Sequence, residues 1–430
     1  MSDDDVFLEE DLDEDEKKAK RTARKKAEEL LRSPLFFNRF LEDIRRAGLV
    51  GERRNALALY IVATSRLRER PVNAIVKGQS SSGKNFLVRK VTEFFPAKCI
   101  HEVSSMSAHA LNFVSEEDLE HSVLYFYEID SARARSAHPN RLLISEGKLV
   151  HWYSASSSGG RETRQKVTGG PVACISTTTE NALTIDDESR HLSLWIDESP
   201  TQTKRIAAAY LGAKAELLTP EAKLVWREVQ YLLGERKDVS VGTPDWFERL
   251  VDLMPTGDVR IRRYWPAFVE ACKTVTLIRS YGRNEAEREK QATLTVNFND
   301  FAIANLVLDK TVAESLTRSA ADEEVWTGEM VARIAEQQGG KGVEVTNLLG
   351  EPGVTSLDKA YRLLRRAEHA RTIFRANPSE KNNAKLYLPA AELGFLGSPE
   401  SVLGRLGLKF HGQFFHPVTG KLVTYGRKPK

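Results

Sequence analysis

The feature that most constrains this chain is a glycine-rich loop placed between an apolar strand and an amphipathic helix. The mostly apolar residues 72–76 lead into the pattern Gly-x-x-x-x-Gly-Lys at residues 78–84, and apolar positions at helical spacing follow. Glycines let backbone N–H groups approach a phosphate, and the helix N-terminus adds a partial positive charge. The pattern therefore predicts a phosphate-binding loop, with Lys84 reaching the terminal phosphates of a nucleotide. The candidate nucleotide contacts are Gly78, Ser80, Ser81, Ser82, Gly83, Lys84 and Asn85.

One residue of this loop departs from the usual pattern. Asn85 follows the lysine, at a position where Ser or Thr usually contributes a hydroxyl ligand to Mg²⁺. An amide oxygen can also coordinate a hard cation, so Asn85 is a candidate magnesium ligand. The alternative is a Gly/Ser-rich turn that binds no ligand.

The composition is that of an ordered globular protein. Of the 430 residues, 41% are hydrophobic and 29% are charged, and a chain of this length is expected to form more than one domain. No apolar stretch is long enough to cross a membrane, and the acidic N-terminus does not resemble a secretory signal. Cys99, Cys174 and Cys272 have neither metal-site spacing nor a disulfide pattern. These features predict a cytoplasmic protein without a membrane partner.

The first residues carry two blocks of opposite charge. Residues 1–16 contain ten acidic and no basic residues, and residues 17–26 contain seven basic and no acidic residues. Charge blocks of this kind are usually solvated, so a disordered tail is expected over residues 1–26. Such a tail either tethers a neighbouring protein or has no dedicated partner.

Hydrophobic periodicity divides the remaining chain into regions of different structure. Residues 27–70 have a helical period, whereas residues 71–215 alternate strands and helices, which predicts an α/β core with a parallel sheet and crossover helices. Residues 216–290 are mainly helical, residues 291–390 include a helix–turn–helix pattern at 343–369, and residues 391–430 form a basic extension. The predicted strands are 73–77, 123–127, 172–176 and 192–196, and the predicted later helices are 202–217, 222–233, 262–280, 298–309 and 321–338.

Polar residues follow two of the predicted strands. Glu128 ends the strand 123–127 and Asp130 comes two residues later, so both are candidate catalytic acids that hold Mg²⁺ or polarise an attacking water. A run of hydroxyls that includes Thr178 ends another strand and could orient that water. The alternatives are an ordinary strand end with a solvated Glu and a Thr-rich strand end without a catalytic role.

An arginine begins the last predicted strand of the core. Arg190 follows three acidic residues at 186–188 and directly precedes the strand at 192–196. Its planar guanidinium suits phosphate oxygens and could offset transition-state charge at a neighbouring subunit's nucleotide. A surface salt bridge with Asp186, Asp187 or Glu188 is the alternative.

In this order of motifs the chain resembles the AAA+ ATPases, and among them the minichromosome-maintenance-like helicases and their relatives on phages and mobile elements. The resemblance is carried by residues 78–85, by the stretch from 142 through 161–166 to 174–179, and by Ser-Arg-His-Leu-Ser-Leu at 189–194. It covers roughly residues 70–280. The departures are Asn85, the lack of an Asp-Glu pair, and His191 where Phe is usual.

The resemblance implies a hexameric ring with ATP sites between subunits and single-stranded DNA in a central pore. It also implies that residues 141–170 form an insertion hairpin, on which Trp152 and Tyr153 could stack on bases. The alternative is a basic surface loop with a buried aromatic pair. The hairpin residues that are candidates to contact the sugar–phosphate backbone of DNA are Lys148, Arg161, Arg164 and Lys166.

A cluster of arginines in the later helical region resembles the second sensor of the AAA+ ATPases, which lies in a helical lid. There an arginine contacts the γ-phosphate of the nucleotide that is bound by its own chain. The candidates are Arg260, Arg262 and Arg263, of which Arg263 is favoured. Solvated charges on a helix edge explain all three equally well.

The C-terminal region has the pattern of a winged-helix domain. A capping box at residues 355–358 opens a helix that carries Arg362, Arg365 and Arg366. Basic helices of this kind lie in the DNA major groove, although many winged helices bind protein instead. The extension beyond residue 400 has six basic and no acidic residues and could add phosphate contacts.

Together these features predict a cytoplasmic, ring-forming AAA+ ATPase of a mobile element that hydrolyses ATP with Mg²⁺ and moves along single-stranded DNA. One alternative is a DNA-bound loader or transposition regulator that does not unwind DNA, and another is a nucleotide-dependent scaffold without catalysis. The sequence contains no primase metal cluster, so a primase or other replication protein would be a separate partner.

Overall fold

A parallel five-stranded sheet forms the centre of the α/β core in the computed structural model. Four of its strands are almost entirely buried, as expected for a sheet covered by helices, whereas the strand at residues 100–103 is half-exposed. The strand order is β2-β3-β6-β1-β7, and all neighbours are parallel. The strands of this region are β1 (Ala74–Lys77), β2 (Ile100–Val103), β3 (Ser122–Phe126), β4 (Lys148–Ser157), β5 (Gly160–Gly169), β6 (Val172–Thr178) and β7 (Leu192–Trp195).

The structure describes the chain in segments. These are residues 13–104, 119–128, 148–157, 160–180, 189–211, 217–254, 259–283, 293–317, 322–339, 342–351, 353–369, 373–375, 385–389 and 395–426. Within them, the parallel sheet and its four predicted strands are confirmed. The half-exposed β2 was not predicted, because its sequence Ile-His-Glu-Val has no long apolar run.

Helices cover the sheet and extend the hydrophobic core. Trp226 is central to this packing, since its ring lies 5.3–5.7 Å from the rings of Phe36, Phe40 and Phe94, and its Nε1 donates to Asp43 Oδ2 at 3.0 Å. The described α-helices up to residue 234 are α1 (Glu14–Arg32), α2 (Phe36–Arg46), α3 (Arg53–Thr64), α4 (Lys84–Thr92), α5 (Pro200–Leu211) and α6 (Pro220–Gly234).

The predicted disorder of residues 1–26 is wrong for residues 14–26, which belong to α1. Asp13 and Glu16 form a capping box, and Ala23, Ala27 and Leu31 are buried at i, i+4, i+8 spacing. Acidic residues in the first turn and bases further along match the helix dipole, so the charge blocks favour the helix. α1 packs on α6. Residues 1–12 lie outside the described part of the chain.

Within residues 141–170, where an insertion hairpin was expected, the described residues form a two-stranded antiparallel ribbon; residues 141–147 and 158–159 lie outside the described part of the chain. β4 and β5 pair along their full length, from Lys148 opposite Gly169 to Ser157 opposite Gly160. Along the chain, this ribbon is inserted between β3 and β6, which are neighbours in the parallel sheet.

The later part of the chain does not divide at the predicted boundaries. One compact unit comprises Met1–Phe247, Arg263–Val307 and Lys409–Lys430, and a second comprises Glu248–Arg262 and Leu308–Leu408. The region predicted as a separate lid, 216–290, is therefore split, and α6 belongs to the unit that contains the sheet. The remaining helices are α7 (Trp246–Leu250), α8 (Ile261–Ile278), α9 (Phe298–Thr317), α10 (Asp322–Gln337), α11 (Leu357–His369) and α12 (Pro399–Leu406).

The second unit has its own apolar core between α10 and α11. Residues of both helices, together with Val343, Leu348 and Tyr387, form one buried cluster. Val343 also bridges to Tyr387, in the second strand of a short antiparallel pair that follows α11. Within residues 343–369, where a helix–turn–helix pattern was predicted, the described residues form a short 3₁₀ helix at Val345–Leu348 and an α-helix at Leu357–His369. The short strands are β8 (Ser240–Gly242), β9 (Thr293–Thr295), β10 (Ile373–Arg375), β11 (Tyr387–Pro389), β12 (Gly412–Phe415) and β13 (Leu422–Tyr425).

The predicted basic extension, residues 391–430, contains a β-hairpin within its described residues. β12 and β13 pair antiparallel, and their turn is held against α2, where Asn38 Nδ2 donates to the carbonyl oxygens of His416 and Pro417 at 3.0 Å each. Arg53 donates to the Val418 carbonyl in the same turn. Among the described helices, none is both long and apolar enough to cross a lipid bilayer.

Candidate functional site

The phosphate loop lies at the carboxyl end of β1 and leads directly into α4. Ser81 and Gly83 have φ values of +66° and +94°, and residues in this left-handed region are typical of the concave backbone turns, called nests, that bind anions. A Cβ atom at Gly78 would lie 2.8 Å from Glu198 Oε1 and 2.9 Å from Ser82 Oγ, so a larger residue here would displace these two side chains. The loop therefore has the backbone shape that an anion-binding nest needs.

Lys84 is held within this loop. Its Nζ donates to the carbonyl oxygens of Gly78 and Gln79 at 2.9 and 2.7 Å. Burial lowers the pKa of Lys84 from its ordinary value, and the nearby carboxylates of Glu128 and Glu198 act in the opposite direction. The ammonium group is thus fixed at the mouth of the loop, where the terminal phosphates of a nucleotide would lie.

A hydrogen-bond network joins α4, β3 and β6 beside the loop. Asn85 Oδ1 accepts from Tyr125 OH at 3.0 Å and from Thr177 Oγ1 at 2.9 Å. Thr177 Oγ1 in turn accepts from the backbone N–H of Glu128 at 3.0 Å. Burial raises the pKa of Tyr125, so its hydroxyl stays protonated as a donor. The network fixes the backbone from which the Glu128 side chain projects.

Glu128 has an unusual backbone conformation. Its φ is +45°, in the left-handed region that non-glycine residues rarely adopt, and its side chain is exposed. Such conformations persist where the surroundings hold them and occur often at functional sites. Here the bond from its N–H to Thr177 supplies that restraint. Asp130, the second candidate acid, lies outside the described residues.

Thr177, rather than the predicted Thr178, reaches the network. Consecutive residues in a strand face opposite sides of the sheet, so only one of the two can point toward Asn85. Thr178 is buried, and its Oγ1 accepts from the Glu180 N–H at 3.1 Å. Which hydroxyl of the run at the end of β6 faces Asn85 depends on the register of the sheet.

Asn85 fits poorly as a direct magnesium ligand. Its amide oxygen already accepts two hydrogen bonds, from Tyr125 and Thr177, which occupy both of its lone pairs. Among the described residues, no group of three or more His, Cys, Asp or Glu side chains could hold a metal ion. In this structure the Asn85 side chain joins Tyr125 and Thr177.

Glu198 is a residue of the site that the sequence reasoning missed. It follows β7, the strand next to β1, and its Oε1 accepts a 2.5 Å hydrogen bond from the N–H of Gln79 in the phosphate loop. The carboxyl ends of parallel neighbours meet at one edge of a sheet, so the acidic residues after β7 could have been found once the strand order was known.

Arg190 and Arg263 lie where β7 begins, at the opposite end of the strands from the phosphate loop. Arg190 precedes β7, and β7 runs parallel to β1 with Leu192 opposite Ala74 and Trp195 opposite Lys77. At ~3.3 Å per residue, Leu192 is about 10 Å below the level of the phosphate loop. Arg263 donates to Ser189 Oγ, next to Arg190. The structure therefore does not bring Arg263 to the loop of its own chain, where the sensor was expected.

The other two sensor candidates belong to the second unit. Arg260 Nη1 donates to the Ser315 carbonyl oxygen at 3.2 Å within that unit, and Arg262 is exposed.

The ribbon carries an exposed apolar surface. Trp152 is 62% exposed, and Val150 and Val167, which are directly opposite each other, are about 40% exposed. Tyr153 is also exposed, so the aromatic pair is not buried. The predicted cations lie on the two strands: Arg164 is paired with Tyr153, Lys166 with His151, Lys148 with Gly169 and Arg161 with Ser156.

Helix α11 of the second unit separates an apolar and a basic side. Ala360, Leu363, Leu364 and Ala367 are buried in the core of the unit. Exposed residues alternate with them at helical spacing, and the predicted DNA contacts are among these. The exposed residues are Tyr361, Arg362, Arg365 and Arg366.

The sequence was also compared with known proteins. A scan against models of protein families finds no match, and a search of curated proteins finds none either. The fold and the contacts described above are therefore the basis for a functional conclusion.

Proposed function

We propose that this chain is an AAA+-type ATPase that moves along or remodels single-stranded DNA, with a winged-helix-like second unit. The observation that carries the proposal is the network from Glu128 through Thr177 to Asn85, beside a phosphate loop that holds Lys84. It combines an anion-binding nest, a cation and an oriented carboxylate at the carboxyl edge of a parallel sheet, where such sheets bind ligands.

In this proposal the loop binds the phosphates of MgATP. The N–H groups around Ser81 and Gly83 face the phosphates, and the N-terminus of α4 adds its partial positive charge. Lys84 exchanges its bonds to the Gly78 and Gln79 carbonyls for phosphate oxygens. When the nucleotide binds, the Glu198 carboxylate either releases its hydrogen bond from the Gln79 N–H or repels the negatively charged phosphates.

Glu128 is the candidate general base for hydrolysis. Its carboxylate takes a proton from the water that attacks the γ-phosphorus, while the bond between the γ-phosphorus and the bridging oxygen breaks to release ADP. Thr177 positions Glu128 through the backbone N–H and is a positioning residue. Tyr125 and Asn85 keep Thr177 in place.

The arginines at the opposite edge fit a site shared between copies of the chain. Arg190 and Arg263 lie near each other around Ser189, at the amino end of β7. A residue there cannot reach the loop of its own chain, but a second copy could present it to the transferred phosphate. This arrangement supports a ring or filament in which each site takes its arginines from a neighbour.

The ribbon supplies the proposed contact with DNA. Exposed Trp152 and Tyr153 offer flat surfaces on which unpaired bases stack, and the ribbon carries Lys and Arg residues for the sugar–phosphate backbone. Exposed arginines of α11 would add contacts to duplex DNA.

The direct test is ATP hydrolysis with and without single-stranded DNA, for the wild type, for Lys84→Ala and for a matched control. Lys90→Ala is that control, since Lys90 lies on the same helix but bonds to Glu93 at 2.7 Å. We expect DNA-stimulated hydrolysis that Lys84→Ala reduces about 10²–10³-fold and Lys90→Ala leaves intact. A rate of ATP hydrolysis that DNA does not change would point to a protein-remodelling ATPase. An unchanged rate in Lys84→Ala would reject the assigned site.

One observation favours a second candidate function, a nucleotide-dependent scaffold without catalysis. Asn85 replaces the usual hydroxyl ligand of Mg²⁺, and its amide oxygen is committed to Tyr125 and Thr177. ATP binding measured by calorimetry, together with no phosphate release from the wild type, would select this alternative.

A further inference from the structure

A polar cavity lies at the end of the parallel sheet where its strands begin, away from the phosphate loop. It has a volume of about 540 Å³ and is bounded by the start of β3 at Ser122, by Cys99 just before β2, and by the end of α6. Glu128 lies beyond the other end of β3, six residues from Ser122 and about 20 Å away at ~3.3 Å per residue. The cavity is therefore separate from the nucleotide site.

Arg66 lines this cavity as a buried cation without an anionic partner. Its side chain is 3% exposed, Nη1 donates to Ala63 O and to Gln230 Oε1, and the guanidinium lies 5.3 Å from the Phe95 ring centroid. Nε is buried without a hydrogen-bond partner, and no carboxylate among the described residues lies within 4.0 Å of the group. A buried guanidinium is normally paired, because an uncompensated charge is costly to bury.

Two further cations line the same cavity. Lys98 Nζ lies 4.8 Å from the Tyr231 ring centroid, and neither Lys98 nor Lys237 forms an ion pair within the described part of the chain. Two carboxylates are also present. Glu235 is engaged by Arg24 at 2.6 and 2.7 Å, and Glu120 lies 3.3 Å from His121 Nε2.

This balance leaves the cavity with an excess of positive charge. Arg66, Lys98 and Lys237 contribute three cations, whereas Glu120 is the carboxylate of the wall that no Lys or Arg neutralises. Charge-assisted bonds to lysine and arginine are among the strongest contacts a protein makes to phosphate. A bound dianion would supply the partners that the three cations lack.

We propose that this cavity binds a small organic phosphate, at a site independent of the phosphate loop. Leu67, Pro96 and Tyr231 provide apolar and aromatic wall for the organic part of the ligand. The volume falls within the ~300–1,000 Å³ common for small-molecule sites. The His121 N–H donates to the Pro171 carbonyl at 2.7 Å, just after β5, so the bound ligand lies next to the base of the ribbon.

Binding can be measured without reference to hydrolysis. The probes are AMP and inorganic phosphate, titrated by calorimetry at fixed ionic strength into the full chain carrying Lys84→Ala, which disables the loop. We expect binding of both, with AMP the tighter because its organic part meets the apolar wall. Adding Lys98→Ala and Lys237→Ala should weaken AMP binding at least about tenfold.

Controls keep the proposal open to rejection. Lys310→Ala is the matched control, because Lys310 is exposed in the second unit and should leave binding within about twofold. Arg66→Ala is avoided, since truncating a buried arginine could unfold the core. No AMP binding by the Lys84→Ala chain, or binding unaffected by the Lys98 and Lys237 changes, would reject the site. Equal affinity for phosphate and AMP would overturn its assignment to an organic ligand.

Discussion

The carboxyl edge of the parallel sheet and the β4–β5 ribbon organise their polar and aromatic residues in opposite ways. At the sheet edge, Asn85 and Thr177 are held by hydrogen bonds of 2.9–3.0 Å between three elements. On the ribbon, Trp152 is 62% exposed and Tyr153 about 40%. Chemistry on a small phosphate needs fixed geometry, whereas contact with a variable polymer needs accessible flat surface. The contrast is consistent with the proposal that hydrolysis takes place at the first region and DNA contact at the second.

The largest expected effect concerns the carboxyl edge. Glu128→Gln removes the proposed base but retains the backbone N–H that bonds to Thr177. We expect the hydrolysis rate to fall on the order of 10²–10⁴-fold, with ATP affinity retained. Single-turnover phosphate release and calorimetric ATP binding would separate the two quantities. Glu42→Gln, on the exposed surface of α2, should leave both unchanged; an active Glu128→Gln enzyme would assign the base elsewhere.

The ribbon gives the next largest effect. Trp152→Ala removes a stacking surface worth about 1–3 kcal/mol per base, so affinity for single-stranded DNA should fall roughly 5- to 150-fold. Hydrolysis without DNA should be unchanged, because Trp152 makes no contact with the loop. Fluorescence anisotropy with an oligonucleotide measures the affinity. Tyr210→Ala is the control, since Tyr210 is 85% exposed on α5. Equal losses in both variants would show nonspecific contact.

A smaller effect separates two neighbouring threonines. Thr177→Val deletes the hydroxyl that links Glu128 to Asn85, whereas Thr178→Val deletes one that bonds to the Glu180 N–H. A net ~0.5–1.5 kcal/mol per hydrogen bond predicts a hydrolysis rate roughly two- to tenfold lower for Thr177→Val. Both proteins should first be checked for equal melting temperature. If Thr178→Val is the slower enzyme, the network does not position the base.

The smallest effect is electrostatic. Glu198→Gln preserves an oxygen that can accept from the Gln79 N–H but removes a negative charge beside the phosphate loop. Because Glu198 is exposed, we expect ATP affinity to rise only about two- to fivefold. Calorimetry at low and high salt should show the difference shrinking as ions screen the charge. Asp197→Asn, the adjacent exposed carboxylate, is the matched control, and weaker ATP binding by Glu198→Gln would instead make Glu198 part of the binding site.

Local pattern was sufficient for the elements that carry the site. The apolar runs at 73–77, 123–127 and 172–176 correspond to β1, β3 and β6, and the glycine–lysine motif lies between β1 and α4 as expected. The pattern was insufficient at the N-terminus, where charge blocks predicted disorder over residues that form α1. The capping box and the buried Ala23, Ala27 and Leu31 outweighed the charge there.

The sequence by itself determined the parallel α/β core and the strand–loop–helix setting of the glycine–lysine motif, because hydrophobic period and turn residues are encoded over short stretches. The ribbon was expected from the family resemblance. Tertiary structure alone decided which side chains meet. It joined Thr177 rather than Thr178 to Asn85, brought Glu198 to the loop, placed Arg263 beside Ser189, and left Arg66 lining a cavity. These contacts depend on strand order and register, which are set by packing between residues far apart in the chain.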